Sequence, residues 1–228
     1  MRVLIILCIA LVLIPINSAS RLRIVLGTAL TTAHFEFRKQ QYIDMFARLK
    51  NYGYENIYVV EGFRKEGPSF LDEYASHVFY AQTSNPALKN QGVNEARTQL
   101  EGTYHFMFDP EDMILKLTGR YHLLSDDLLR FVEQNADNFD AFVKINENGD
   151  VHTLGFAMRC KYFREMYEQM NYIAMEKNRI NLETEVGNYI KRKLHDGSFR
   201  VFYITKLNIM ANLFGSSAAP GAQGIVYY

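Results

Sequence analysis

The chain has 228 residues, 25 Lys and Arg against 25 Asp and Glu, and 48% hydrophobic content. These proportions belong to a packed globular protein and exclude a disordered chain. The even charge balance argues against a general nucleic-acid binder, and the 2 cysteines exclude a disulfide-dense scaffold or a four-cysteine zinc site.

The N-terminus stands apart. Arg2 precedes an apolar run from Val3 to Ile16, broken only by Pro15, and Ser18, Ala19 and Ser20 follow. A positive start, a short apolar core and small residues at its end describe a secretory signal peptide over residues 1–20. Residues 21–228 are then expected to form one α/β domain, in the secretory lumen or secreted. The alternative is an uncleaved anchor, which would place the chain at a membrane. A bilayer span takes about 20 apolar residues, and this run is shorter. Cys8 leaves with the leader. Cys160, between Arg159 and Lys161, sits in no nucleophile motif and reads as a buried, inert thiol.

The body alternates short apolar runs with longer helical patterns. Arg23 to Leu26 reads as a buried first strand ending at Gly27. A helix is predicted over Phe35–Tyr52, because Tyr42, Ile43, Phe46 and Leu49 recur at helical steps and Gly53 follows. Asn56–Val60 is a second strand, ending at Glu61. Ser69 and Asp72 have capping-box spacing around a short helix at Phe70–Ala75. His77–Ala81 is a third strand, Val93–Leu100 a helical segment and Met113–Leu117 a fourth strand. Ser125 is placed to cap a helix through Gln134. Ala141–Lys144 and Val151–Met158 are strands joined through an Asn-Gly turn. Helices are predicted over Tyr162–Lys177 and Leu182–Leu194, and a last strand over Phe199–Ile204. This alternation predicts a three-layer α/β sandwich with a mostly parallel central sheet. Ligands in such sheets bind beyond the carboxyl ends of the strands.

The chain lacks GxGxxG, a P-loop, GxSxG and HExxH. Its six histidines show no close ligand spacing, and no metal site is expected. Three constellations remain. Asn90-Gln91-Gly92-Val93-Asn94-Glu95 runs a glycine turn into a helix, which offers N–H groups to an anionic or hydroxyl-rich ligand; the plainer reading is a capped surface helix. Asp109-Pro110-Glu111-Asp112 leads into MILKL and then Thr118-Gly119-Arg120-Tyr121. Lys116 and Arg120 could together neutralise a diphosphate. The plainer reading is a salt bridge from Arg120 to Asp109 or Asp112. Glu183 and Glu185 lie two apart on a helix, so at most one points into a site.

With those residues in view, the sequence resembles small GT-A-like nucleotide-sugar glycosyltransferases of the polysaccharide-biosynthesis type. The resemblance is carried by RIVLGTAL, VVEG, the Asn90–Ala96 turn, KLTGRY and NLETEVGNYI, in that order, over Arg23 to Leu194. It implies a nucleotide-sugar donor and a glycan or other hydroxyl acceptor. Thr28 and Glu61 would lie near the nucleotide. Gly92, Asn94 and Glu95 would line the donor region. Lys116, Gly119, Arg120 and Tyr121 would meet the diphosphate or sugar. Glu183, Glu185 or Asp112 would do the acid/base work. The chain departs from the pattern at Gln91, where a lysine is expected, and in having no Asp-x-Asp. No cofactor is therefore expected; a divalent ion such as Mg or Mn is supported by no motif. Two other readings stand beside the transferase: an inactive secreted nucleotide- or glycan-binding module of the same fold, and an interaction protein using its 16 Phe and 15 Tyr.

Overall fold

The computed structural model describes residues 21–31, 34–197, 199–212 and 225–228. The expected leader at 1–20 and the Gly-, Ala- and Ser-rich tail at 215–224 lie outside the described residues. Among the described residues, no helix is long and apolar enough to cross a membrane.

The elements, in order, are β1 (Leu22–Thr28), α1 (Phe35–Asn51), β2 (Ile57–Glu61), α2 (Leu71–Tyr74), β3 (His77–Tyr80), α3 (Gln91–His105), β4 (Met113–Thr118), β5 (His122–Leu123), α4 (Asp127–Asn135), β6 (Ala141–Val143), β7 (Gly155–Arg159), α5 (Cys160–Glu168), α6 (Tyr172–Asn178), α7 (Leu182–His195), β8 (Val201–Tyr203), β9 (Ile209–Asn212) and β10 (Ile225–Tyr227). Seven strands form the main sheet in the order β3-β2-β1-β4-β7-β6-β8. β3, β2, β1 and β4 are parallel; β7 runs antiparallel to both β4 and β6. The sheet is thus mostly parallel, as the alternation predicts.

Each face of the sheet buries one core. Ile24, Leu26, Val59, Leu115 and Leu117 face α1 with Met45, Phe46 and Leu49. Val25, Val60, Ile114 and Phe156 face α3, α5 and α7 with Val93, Phe163, Val186 and Ile190. Strands buried on both faces read as continuous apolar runs, which explains why β1, β2 and β4 are plain in the sequence.

Three departures have local causes. The helix expected over Tyr162–Lys177 breaks after Glu168, because Asn171 turns its side chain back to cap α6, accepting from Ala174 N–H at 3.0 Å. The strand expected over Val151–Met158 forms only from Gly155; Val151 makes an isolated bridge with Ile145. β5, β9 and β10 pair antiparallel as a second small sheet, which no sequence pattern marks. The capping-box spacing does what it predicts: Ser69 N–H donates to Asp72 Oδ2 at 2.8 Å and Leu71 N–H to Ser69 Oγ at 3.2 Å.

Candidate functional site

The carboxyl ends of β1, β2 and β4 meet at one edge, and most of the predicted residues lie there. Glu61 ends β2 fully buried. Its Oε1 accepts from the N–H groups of Leu30 at 2.9 Å and of Phe63 and Arg64 at 2.8 Å. Its Oε2 accepts from Thr28 Oγ1 at 2.7 Å. A buried carboxylate must have its lone pairs met, and here two loops meet them. Glu61 and Thr28 therefore pin the β1–α1 loop to the loop after β2. Their side chains are occupied inside the protein, so they shape this edge from beneath.

The loop they hold presents a cationic corner. Arg38, in the second turn of α1, is buried and donates to Thr31 Oγ1 at 2.7 Å. Arg120 lies just past β4, its guanidinium 5.0 Å from the centre of the Tyr121 ring and donating to the Tyr121 hydroxyl at 3.1 Å. The two guanidiniums stand close enough to repel. Burial, and then the Arg120 charge, lowers the Arg38 pKa from its ordinary value. Tyr42 completes the corner, its phenol accepting from Ala29 N–H at 3.0 Å, and burial pushes its pKa up to about 12. Gly119 packs closely against the corner: a Cβ there would sit 3.1 Å from Thr28 Cγ2 and 3.2 Å from Tyr42. Sequence reading missed Arg38, since a charge on an amphipathic helix reads as solvated face. Its one sequence signal is its place among the buried positions of α1, a turn before Tyr42.

The other face of the same edge is acidic. Lys116 is fully buried on the α3 side and does not reach the rim. Its ammonium is held by the Glu95 carboxylate, by Thr153 O at 2.6 Å and by Thr118 Oγ1 at 3.3 Å. Thr153 Oγ1 donates in turn to Glu183 Oε1 at 2.6 Å. Glu95 and Glu183 are thus brought together through one lysine and one threonine. Glu185, two residues on, is half-buried and takes no part in this network.

The structure separates the remaining predictions from this edge. Asp112 lies just before β4, at its amino end, bound to Arg23 Nε at 2.8 Å. Six strand residues at about 3.3 Å each put it roughly 20 Å from Arg120. It cannot share a site with Glu183, and neither it nor Asp109 pairs with Arg120. Asn94 is spent on the chain itself, accepting from Asn85 N–H at 2.8 Å and donating to Asn85 O at 2.9 Å. Gly92 lets α3 and α7 approach: a Cβ there would lie 3.1 Å from Leu182 Cβ. Asn90 Oδ1 accepts from Gly92 N–H at 3.0 Å, so this segment is a capped, packed helix start. Cys160 is buried, and its thiol is pushed up to about 11 by burial. Among the described residues, no three His, Cys, Asp or Glu side chains are grouped to hold a metal ion.

No family model matches the chain, and no curated protein matches it in sequence. Solved structures do share its fold. One, from Desulfovibrio desulfuricans, bears the name nucleotide-diphospho-sugar transferase; it aligns at TM-score 0.50 and 9% identity over 81% of this chain and 80% of its own. The bifunctional IspDF of Campylobacter jejuni aligns at 0.50 and 12% over 81% of this chain and 49% of its own. A Bacillus anthracis protein, named as a glucose-1-phosphate thymidylyltransferase in complex with a sucrose, aligns at 0.50 and 11% over 81% and 87%. The chain has the mixed α/β fold, with a mostly parallel seven-stranded central sheet, of the nucleotide-diphospho-sugar transferases.

Proposed function

We propose that this chain is a glycosyltransferase that moves a sugar from a nucleotide-sugar donor to an acceptor hydroxyl. The observation that carries the reading is that Arg38, held to the β1–α1 loop at Thr31, and Arg120, held on Tyr121 past the end of β4, both act on the buried Tyr42 at the carboxyl edge of β1 and β4. Guanidinium groups match phosphate oxygens in bidentate fashion, so a diphosphate is the ligand this pair suits. As the bond from the anomeric carbon to the diphosphate breaks, negative charge grows on the leaving oxygens. Guanidiniums already in place stabilise it without a metal ion. Glu183 has one oxygen bonded to Thr153, and its other oxygen accepts nothing among the described residues. That oxygen is the group assigned to take the acceptor proton. The leader read at residues 1–20 would place this chemistry in the secretory lumen.

The test is calorimetric binding, together with release of nucleoside diphosphate, across uridine-, guanosine-, cytidine- and thymidine-diphosphate sugars. The expected result is saturable binding of one of them that persists in EDTA. Arg120→Ala should weaken it about 100-fold, since a charge-assisted hydrogen bond is worth about 1.5–3 kcal/mol. Unchanged affinity in that variant, or binding of none of these sugars, overturns the proposal. Binding without turnover would instead identify a nucleotide-sugar-binding module of the same fold.

A further inference from the structure

Tyr228 reaches the carboxyl edge from the second sheet. It exchanges both backbone hydrogen bonds with Ile209, at 2.9 and 3.3 Å, and Ile209 pairs on its other side with Leu123. Residues in register across neighbouring strands point to one face, so Tyr228, Ile209 and Leu123 share theirs. That face packs on the α1-side core, with Ile209 and Leu123 buried and Tyr228 partly so. Tyr227 points the other way and is 66% exposed. β9 is seated in turn against the start of β7: a Cβ on Gly155 would lie 3.0 Å from Ile209 Cδ1.

Two neighbours locate the Tyr228 ring. Its centre lies 5.3 Å from that of His152, with the planes at 68°. His152 directly precedes Thr153, whose carbonyl holds Lys116 and whose hydroxyl donates to Glu183, both at 2.6 Å. Leu154 O accepts from Thr118 N–H at 2.9 Å, which ties this loop to the end of β4. The second neighbour is Tyr121, the ring that carries Arg120. Burial raises the Tyr121 phenol, Arg120 opposes that, and the Tyr228 phenol adds to it. Tyr228 thus borders both the corner assigned to the diphosphate and the loop that positions Glu183.

Resting on the transferase reading above, we infer that Tyr228 is a specificity residue for the acceptor, and that the acceptor is a glycan whose sugar ring packs on the Tyr228 ring while its hydroxyl meets Glu183. A sugar ring has a face of C–H groups, and a rigid aromatic side chain covers such a face at low entropic cost. An extended peptide or an acyl chain presents no flat face of that kind.

The test is a printed glycan array probed with the full chain in the presence of UDP, GDP, CDP or TDP, with the melting temperature of each variant measured beside it. At least one glycan should bind. Tyr228→Ala should weaken it about tenfold, and Tyr228→Phe less than about threefold, because the ring face and not the hydroxyl makes the contact. Tyr227→Ala, on the opposite face, should leave it unchanged. Fluorescence reads the location. The chain has no tryptophan. Tyr228→Trp therefore introduces a single reporter, whose emission should shift saturably with the bound glycan, while that of Tyr227→Trp should not. No glycan bound, or binding kept in folded Tyr228→Ala, overturns the inference and leaves the transferase reading intact so long as a nucleotide sugar binds. A loss of nucleotide-sugar affinity in Tyr228→Ala as large as the loss of glycan affinity would move the residue to the diphosphate side and overturn the inference too. Binding of neither a glycan nor a nucleotide sugar overturns both.

Discussion

The two ends of β4 handle charge in different ways. At the amino end, cations and carboxylates are matched. Arg23 holds Asp112 at 2.8 Å, and nearby Arg159, at the end of antiparallel β7, holds Asp140 at 2.9 Å while donating to Ala136 O at 3.0 Å. At the carboxyl end the charges fall into two groups: Arg38 and Arg120 lie on the α1 side, with the buried Glu61 carboxylate acting on the same Tyr42, while Glu95 and Glu183 lie on the α3 side, joined through Lys116 and Thr153. Matched charges lock a fold. Charges grouped in this way shape the field across an edge.

This contrast can be broken first at the matched end. Asp140 is buried and accepts from Arg159 Nε and from Arg200 N–H, both at 2.9 Å. Asp140→Ala removes the buried counter-charge of Arg159 and leaves it the more exposed Glu111 carboxylate, 3.3 Å from Nη1. It should cost about 3–5 kcal/mol in urea unfolding, with donor affinity unchanged in the protein that remains folded. A loss below about 1 kcal/mol would show that the amino-end lattice is ornamental. At the carboxyl end, Lys116→Met keeps the core volume but orphans Thr153 O and frees Glu95. A stability loss of about 1–3 kcal/mol is expected, together with weaker donor binding. Stability lost with full donor affinity kept would sever Lys116 from the site.

The smallest effect is alkaline. Burial holds the Tyr42 phenol up at about 12, above an unfolded value of roughly 10. Its contribution to stability is whole below the unfolded value and is lost as pH rises through the folded one. The urea midpoint should therefore hold to about pH 10 and fall toward about pH 12. Tyr54 and Tyr172 are raised to about 12 as well, so Tyr42→Phe should remove only part of that fall. A midpoint flat across this range would show that the phenol is open to water.

Position along the chain locates a residue on an element and does not say what its side chain faces. Thr28, Glu61, Gly119, Arg120 and Tyr121 lie at one edge because they end or follow adjacent parallel strands, whereas Glu95 and Glu183 are brought to Lys116 and Thr153 by the packing of α3 and α7. What each side chain faces could not be read from the chain. Lys116 looked like a rim cation, yet the alternation of β4 turns it into the α3-side core beside Phe156. Asp112 looked like a catalytic carboxylate, but its place before β4 puts it at the far end of the strand. Arg38 was passed over because its partners, Thr31 and Arg120, come from elsewhere in the chain.

The sequence by itself determined the layers. Apolar runs and helical spacing are local, and each segment carries its own period. The direction of β7, the second sheet of β5, β9 and β10, and the grouping of charges at the carboxyl edge were decided only by tertiary structure. They depend on which strands become neighbours and which way each side chain then faces, and nothing within a single segment's periodicity encodes that.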